Sequence, residues 1–264
     1  MLICTVRNCG LPLQREERRV TCSNGHTFDI ARSGYINLLQ PQYRRSRKPG
    51  DTAEAVAARR RIHDRGISGP LLEGILELAE ASHEDIALDA GCGEGFFLGS
   101  IAERTGWSAH GVDIAVAAVD AAAKRYPNCE WIVANADRQI PYADLSFSLV
   151  LSITGRLNTA EFRRVLRPGG RLLIAVPAAD DLIELRGTGR DRAAQTIAAA
   201  EWFQLLRQGR VTTASELDAA AVEDVLHSIY RPLQSQPARP MRLTFSLDLL
   251  LFGKTPASRG GYRR

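Results

Sequence analysis

Residues 86–97 read IALDAGCGEGFF: an apolar run closes on Asp89, glycines follow at 91, 93 and 95, and a helical pattern continues from Glu94 to about Arg104. A glycine-rich turn from strand to helix lets a ligand approach the backbone without interference from Cβ atoms and aims amide N–H groups at its polar end. The dinucleotide fingerprint G-x-G-x-x-G would need its third glycine at position 96, which is Phe96, so a pyrophosphate turn fits poorly. The spacing G-x-G-x-G suits S-adenosylmethionine, with Asp89, Gly91, Gly93 and Gly95 as its candidate binding residues.

The residues that follow alternate between strand and helix patterns. A second apolar run, Ser108 to Val112, ends in Asp113, whose carboxylate can accept hydrogen bonds from both hydroxyls of an adenosyl ribose, though it could also cap the next helix. Further strands are expected over 130–134, 147–153 and 171–176, with a helix over 159–166. Asn135 and Asp137 follow the third strand, where a polar side chain can reach the adenine edge or simply cap a turn. Such alternation argues an α/β fold, a doubly wound and mostly parallel sheet whose ligands sit at the carboxyl ends of the strands. Residues 181–227 read as mainly helical, and 241–252 as a strand added antiparallel at the sheet edge.

The N-terminus carries a different chemistry. Cys4, Cys9, Cys22 and His26 are spaced C-x4-C-x12-C-x3-H, two pairs of soft ligands separated by enough chain for a hairpin, which suits tetrahedral Zn(2+). The apolar residues of positions 1–38 are too few to hold so short a segment together, whereas a structural zinc contributes on the order of 10 kcal/mol. All four positions are filled by protein, so the expected metal is structural. The chain holds five cysteines, an odd number, which with the absence of a leader-like N-terminus reads as a reducing, cytoplasmic setting. No apolar run approaches the roughly 18 residues of a membrane span.

Charge is unevenly placed. Residues 1–65 contain 13 Arg and Lys against 6 Asp and Glu, and the remaining residues 21 against 24. Arg44, Arg45, Arg47 and Lys48 cluster beside Tyr43, a pattern suited to nucleic acid or to a solvated basic face. A helix follows from Asp51 or Thr52 to Asp64 and spreads Arg59, Arg60 and Arg61 over more than one face, so some must reach solvent or a phosphate. A second helix over 69–81 shows a core stripe. The expected organisation is a zinc-binding module (1–38), a basic linker with helices (39–85) and a methyltransferase domain (86–264).

The turn LDAGCGEG, Asp113, the segment Ile140-Pro141-Tyr142 and VLRPGG at 165–170 resemble the class I S-adenosylmethionine-dependent methyltransferases. The Cys pair, Cys22 to His26, Gly34 to Leu39, Arg45-Ser46-Arg47, Pro49-Gly50-Asp51 and Ala58-Arg59-Arg60 resemble more specifically the RlmA-type guanine methyltransferases of large-subunit ribosomal RNA. The resemblance implies methyl transfer to N1 of a guanine in an RNA hairpin, with both parts of the chain contacting RNA; Arg44, Arg45, Arg47, Lys48, Arg59 and Arg60 of the basic N-terminal segment are the candidate RNA-binding residues. Some members of that family confer macrolide resistance. Tyr35, Tyr43 and Trp202 could stack on a base or belong to the core; no general base is evident, and a homodimer is left open. The family usually has an aromatic residue and Ala-Pro after the fourth strand, where this chain has Thr154-Gly155-Arg156, and Ser148 stands where Asp is common. A methyltransferase of small molecules, or a zinc-bearing RNA-binding protein without catalysis, are the alternatives.

Overall fold

The computed structural model describes residues 1–43, 50–80, 83–229 and 238–255. A three-stranded antiparallel sheet comes first, from β1 (Gln14–Arg15), β2 (Arg19–Thr21) and β3 (Thr27–Asp29), followed by β4 (Ile36–Asn37). Helices α1 (Ala53–Asp64) and α2 (Gly69–Ala79) lead into the alternating part: β5 (Ile86–Ala90), α3 (Phe96–Thr105), β6 (Ser108–Asp113), α4 (Val116–Arg125), β7 (Glu130–Val133), β8 (Phe147–Ile153), α5 (Thr159–Val165) and β9 (Leu166–Pro177). Then come α6 (Ile183–Arg186), α7 (Ala193–Ala199), β10 (Phe203–Leu217), α8 (Ala219–Ser228) and β11 (Met241–Lys254).

The large sheet has the order β10-β11-β9-β8-β5-β6-β7-β4. Neighbours from β9 through β8, β5, β6 and β7 to β4 are parallel, and β11 runs antiparallel to both β9 and β10. This is the doubly wound sheet with an antiparallel edge that the alternating pattern predicts. Successive side chains along a strand point to opposite faces, and each central strand therefore feeds two cores. Leu88, Val112, Ile132, Val150, Leu172 and Ile174 enter one, while Ala87, Ala109, Val133, Leu149, Leu151 and Leu173 enter the other.

The second core is covered by α2, α3 and α4 through Leu72, Ile75, Leu98, Ile101, Val119 and Ala122. The first is covered by α5, by α7 through Ala193 and Ile197, and by the N-terminal module. The connection between β7 and β8 contains no helix, and Leu2, Cys4, Leu13, Val20 and Cys22 pack onto the face that it leaves open, beside Ile140 and Tyr142. Backbone bonds fix the docking: Ile3 N–H donates to the Pro141 carbonyl at 3.0 Å and Ala143 N–H to that of Met1 at 2.9 Å. β4 pairs with β7 through Ile36↔Ile132 and Asn37↔Val133, so the chain enters the large sheet before its first helix.

One expected region differs. Within 181–227, read as mainly helical, the structure has the 15-residue strand β10. It pairs with β11 from Phe203↔Lys254 to Leu217↔Met241, and cross-strand contacts reinforce the ladder: Arg210 Nε to Asp248 Oδ1 at 2.7 Å and Thr212 Oγ1 to Ser246 Oγ at 2.8 Å. As an edge strand it is buried only at Phe203 and Leu217, so its sequence lacks the apolar alternation by which a strand is recognised, and pairing overrides local preference. Ser148 has a clear job here. Its hydroxyl donates to Asp85 at 2.7 Å and accepts from Ile86 N–H at 2.9 Å, tying the start of β5 to β8.

Candidate functional site

The carboxyl edge of the sheet gathers the residues singled out by spacing. Asp89 lies at the end of β5, Asp113 at the end of β6, Asn135 and Asp137 just past β7, and Thr154-Gly155-Arg156 just past β8. Between β5 and α3 the three glycines adopt positive φ, at 94°, 55° and 82° for Gly91, Gly93 and Gly95. Each has a separate reason to lack a side chain. A Cβ on Gly95 would stand 2.6 Å from the Trp131 ring, so this position sets how closely α3 packs; one on Gly91 would face the Gly155 Cα at 3.7 Å and one on Gly93 the Arg59 guanidinium at 3.5 Å.

Asp113 holds the turn from the next strand. Its Oδ2 accepts the Gly93 N–H at 3.0 Å and its Oδ1 the Ala115 N–H at 2.8 Å. Each carboxylate oxygen retains a second acceptor site, so the residue fastens the turn between β6 and α4 and can still receive a ribose diol. Asp89 is buried, and its Oδ1 has no hydrogen-bond partner among the described residues. Burial, and then the nearby Asp113, push its carboxyl up to about 8, and burial raises that of Asp113 too. Two carboxyls that share a poorly solvated floor favour a cationic or hydrogen-donating ligand. S-adenosylmethionine fits this donor set: an ammonium and a sulfonium for Asp89 and its surroundings, two hydroxyls for Asp113, and open glycine backbone alongside.

The other edge residues divide. Asn135 is buried and its Oδ1 accepts the Asp137 N–H at 3.1 Å. Asp137 is exposed and meets Arg156, Nε to Oδ2 3.4 Å, linking the ends of β7 and β8. The exposed Thr154-Gly155-Arg156 loop lies against the glycine turn, with the Gly155 Cα 3.7 Å from where a Cβ of Gly91 would be.

Helix α1 contributes residues that sequence reasoning assigned elsewhere or passed over. Arg59 turns inward: Nη1 pairs with Asp51 at 2.7 Å and Nη2 donates to the Ser228 carbonyl at 3.0 Å. His63 stacks on Phe96 with ring centroids 4.1 Å apart, shares a hydrogen bond with Ser68 Oγ at 2.7 Å and approaches Glu94 Oε1 at 3.4 Å. Burial, aided by Arg59 and Arg125, pushes the imidazole down to about 3, and burial raises Glu94, so this contact is not an ion pair at neutral pH. The available signal was Glu94 inside the glycine turn together with His63 one helical turn after Arg59. Arg60 is exposed beside Asp64 at 3.8 Å. Arg44, Arg45, Arg47, Lys48 and the side chain of Tyr43 lie outside the described residues. Of the other aromatic candidates, Tyr35 packs against the core, and Trp202 lies under the Arg163 guanidinium at 5.7 Å.

The ligand atoms of Cys4, Cys9, Cys22 and His26 lie within 4.8 Å of one another. Tight turns present them: Cys9 N–H donates to the Val6 carbonyl at 2.9 Å, and Gly25, at φ 79°, donates to that of Cys22 at 2.8 Å. His26 Nδ1 is 3.4 Å from Cys4 Sγ and 3.5 Å from Cys22 Sγ, and Cys9 Sγ is 3.8 Å from Cys22 Sγ. Zn–S bonds of about 2.3 Å and Zn–N bonds of about 2.0 Å give tetrahedral edges of roughly 3.5 to 3.8 Å, so the cluster fits zinc with no position left for substrate.

Comparison with known proteins matches both regions. Residues 3–47 match the family described as RlmA, N-terminal, a zinc ribbon, and residues 87–170 the family described as methyltransferase domain. The chain is 34% identical over 234 residues to the 23S rRNA (guanine(748)-N(1))-methyltransferase of Streptomyces fradiae, covering 83% of this chain and 81% of that one. It is 35% identical over 198 residues to YxjB of Bacillus subtilis strain 168, named as a candidate 23S rRNA (guanine-N(1)-)-methyltransferase, covering 70% of this chain and 67% of that one. Among solved structures, a chain in the complex of the Haloferax volcanii Trm112 methyltransferase activator with a candidate methyltransferase superposes with a TM-score of 0.55 at 17% identity, over 78% of this chain and 96% of that one. The [4+2]-cyclase SpnF superposes with a TM-score of 0.51 at 17% identity, over 70% of this chain and 79% of that one. A cyclase among these neighbours shows that the fold alone does not specify methyl transfer.

Proposed function

The chain belongs to the family of zinc-ribbon 23S rRNA (guanine-N1)-methyltransferases, and from that premise we propose that it methylates N1 of a guanine in a hairpin of large-subunit ribosomal RNA in the cytoplasm. It is an S-adenosylmethionine-dependent methyltransferase with a structural zinc ribbon. The observation that carries the substrate is the identity to the Streptomyces fradiae enzyme, which extends over 83% of the chain and so spans ribbon and catalytic domain alike. Such an RNA requires two surfaces, one that holds phosphates and one that positions a base. The ribbon, built into the catalytic core, supplies the rigid frame for the first.

When bound, S-adenosylmethionine supplies a methyl group already activated by its sulfonium. The chain's own residues then contribute position and orientation. Asp113 would receive the ribose hydroxyls while it holds the glycine turn; Asp89 would face the cationic end; Gly91 and Gly93 would let the backbone approach, while Gly95 seats α3 against Trp131; Asn135 and Asp137 would border the adenine end. Arg156 and Asp137 place a donor and an acceptor where the target enters, which favours a planar base with a polar edge over an apolar small molecule. Arg44, Arg45, Arg47 and Lys48, with the exposed Arg60, supply phosphate contacts.

The test is methyl transfer from labelled S-adenosylmethionine to hairpins of 23S rRNA, read by mapping the modified nucleotide. One N1-methylated guanine, lost in Asp113→Ala, is the expected result. Changing Arg44, Arg45, Arg47 and Lys48 to Ala should flatten the logarithmic salt dependence of RNA binding by roughly 3 to 4 units, at about 0.7 to 0.9 per phosphate. Methyl transfer to a small molecule and none to RNA would reject the reading.

A further inference from the structure

We propose that Arg59, on the side of α1 that meets the glycine turn, binds the α-carboxylate of S-adenosylmethionine rather than an RNA phosphate. The inference rests on the cofactor reading above. An arginine in a basic N-terminal region is expected to reach outward; this one is half-buried and directed at the glycine turn. Its Nη1 lies 3.5 Å from the position a Cβ of Gly93 would take, so the guanidinium rests on the turn itself. Asp51 Oδ2 at 2.7 Å and the Ser228 carbonyl at 3.0 Å fix the fork from the loop before α1 and from the end of α8. The segment that carries Asp51 is itself locked in place, because a Cβ on Gly50 would stand 2.6 Å from that of Ala115.

The charges form a complement to the ligand. Asp89 and Asp113 occupy the floor, and the charge of Arg59 acts on Asp113 and Glu94 from above the turn. The cofactor carries positive charge on sulfur and nitrogen and negative charge on one terminal carboxylate. Acidic residues answer the first two, and a cation is required for the last. With one Nη1 hydrogen on Asp51 and one Nη2 hydrogen on the Ser228 carbonyl, the guanidinium keeps three further N–H donors for a second carboxylate.

Calorimetry with two nucleosides isolates the contact. S-adenosylhomocysteine carries the amino-acid end, whereas 5′-methylthioadenosine keeps adenosine and sulfur and lacks it. Arg59→Ala should weaken S-adenosylhomocysteine about tenfold to a hundredfold, as loss of a charge-assisted pair implies, and leave methylthioadenosine within about twofold of the wild type. Arg59→Lys should restore part of the loss, since it returns the charge without the fork. The salt dependence of RNA binding by Arg59→Ala should match the wild type, where a lost phosphate contact would lower the slope by about 0.7 to 0.9. Equal weakening of both nucleosides, no weakening of either, or a lowered slope would each overturn the assignment. A wild-type protein that binds neither nucleoside would instead overturn the cofactor reading, and this inference with it.

Discussion

Asp89 is the residue whose chemistry depends most on its surroundings. Burial and Asp113 hold its carboxyl at about 8, while an unfolded aspartate titrates near 3.9. Between those values the folded chain binds more protons than the unfolded one, so this residue's contribution to stability falls as pH rises through that window. A cationic ligand reverses the preference, because it stabilises the ionised form. Affinity for S-adenosylmethionine should therefore climb from pH 6 toward 8, and binding at pH 7 should release up to one proton. Calorimetry in two buffers of different ionisation enthalpy measures that release directly; Asp89→Asn should abolish it. Binding without proton release in the wild type would contradict a protonated resting Asp89. Asp89 and Asp113 were legible because each closes an apolar run, which places it at the carboxyl end of a strand. The inward course of Arg59 was not, since the direction of a side chain on a helix rich in arginine is set by what packs beside it.

At the scale of elements, the docking of α3 shows how little space the site tolerates. Gly99, in the middle of that helix, faces the Tyr126 ring, and a Cβ there would stand 2.3 Å from the ring carbons. The ring is itself fixed, with its hydroxyl 3.3 Å from Ser100 Oγ and the Trp131 indole donating to the Tyr126 carbonyl at 2.8 Å. Gly99→Ala should destabilise the fold by about 1 to 3 kcal/mol through overpacking, although alanine is the better helix former. Denaturant unfolding measures the loss, and Gly99→Ala should cost less in a Tyr126→Ala background than in the wild type. A Gly99→Ala protein as stable as the wild type would mean that α3 moves freely against α4. Helix and strand periods in this central region read directly from sequence, whereas β10 did not: its outer face meets solvent, and only its ladder with β11 makes it a strand.

At the scale of the whole molecule, the zinc ribbon is packed into the core of the catalytic part. Residues of the ribbon, including the ligands Cys4 and Cys22, belong to the same core as Leu88 of β5, Val112 of β6 and Ile132 of β7. Those strands also carry Asp89 and Asp113 at their ends. Metal analysis should return about one zinc per chain. Its removal by a chelator should lower the melting temperature of the entire protein and weaken cofactor binding, because loss of the ribbon exposes one face of the sheet. Re-addition of zinc should restore both. A catalytic part that melts and binds cofactor unchanged after zinc release would show that the ribbon is an independent appendage.

Local patterns alone pointed to a mostly parallel sheet, to its central strands and helices one after another along the chain, to the glycine turn with its two acids, and to the Cys and His residues that the fold brings together. Each of these is written within a few residues, as a period, a terminal charge or a short ligand spacing. The tertiary structure decided what depends on residues far apart in the chain. It placed the ribbon on the face left bare by the helix-free connection between β7 and β8, made an edge strand of β10, and turned Arg59 onto Gly93 with partners at 51 and 228. Burial and pairing across such distances have no period to betray them, because they arise only when surfaces that must leave water find one another.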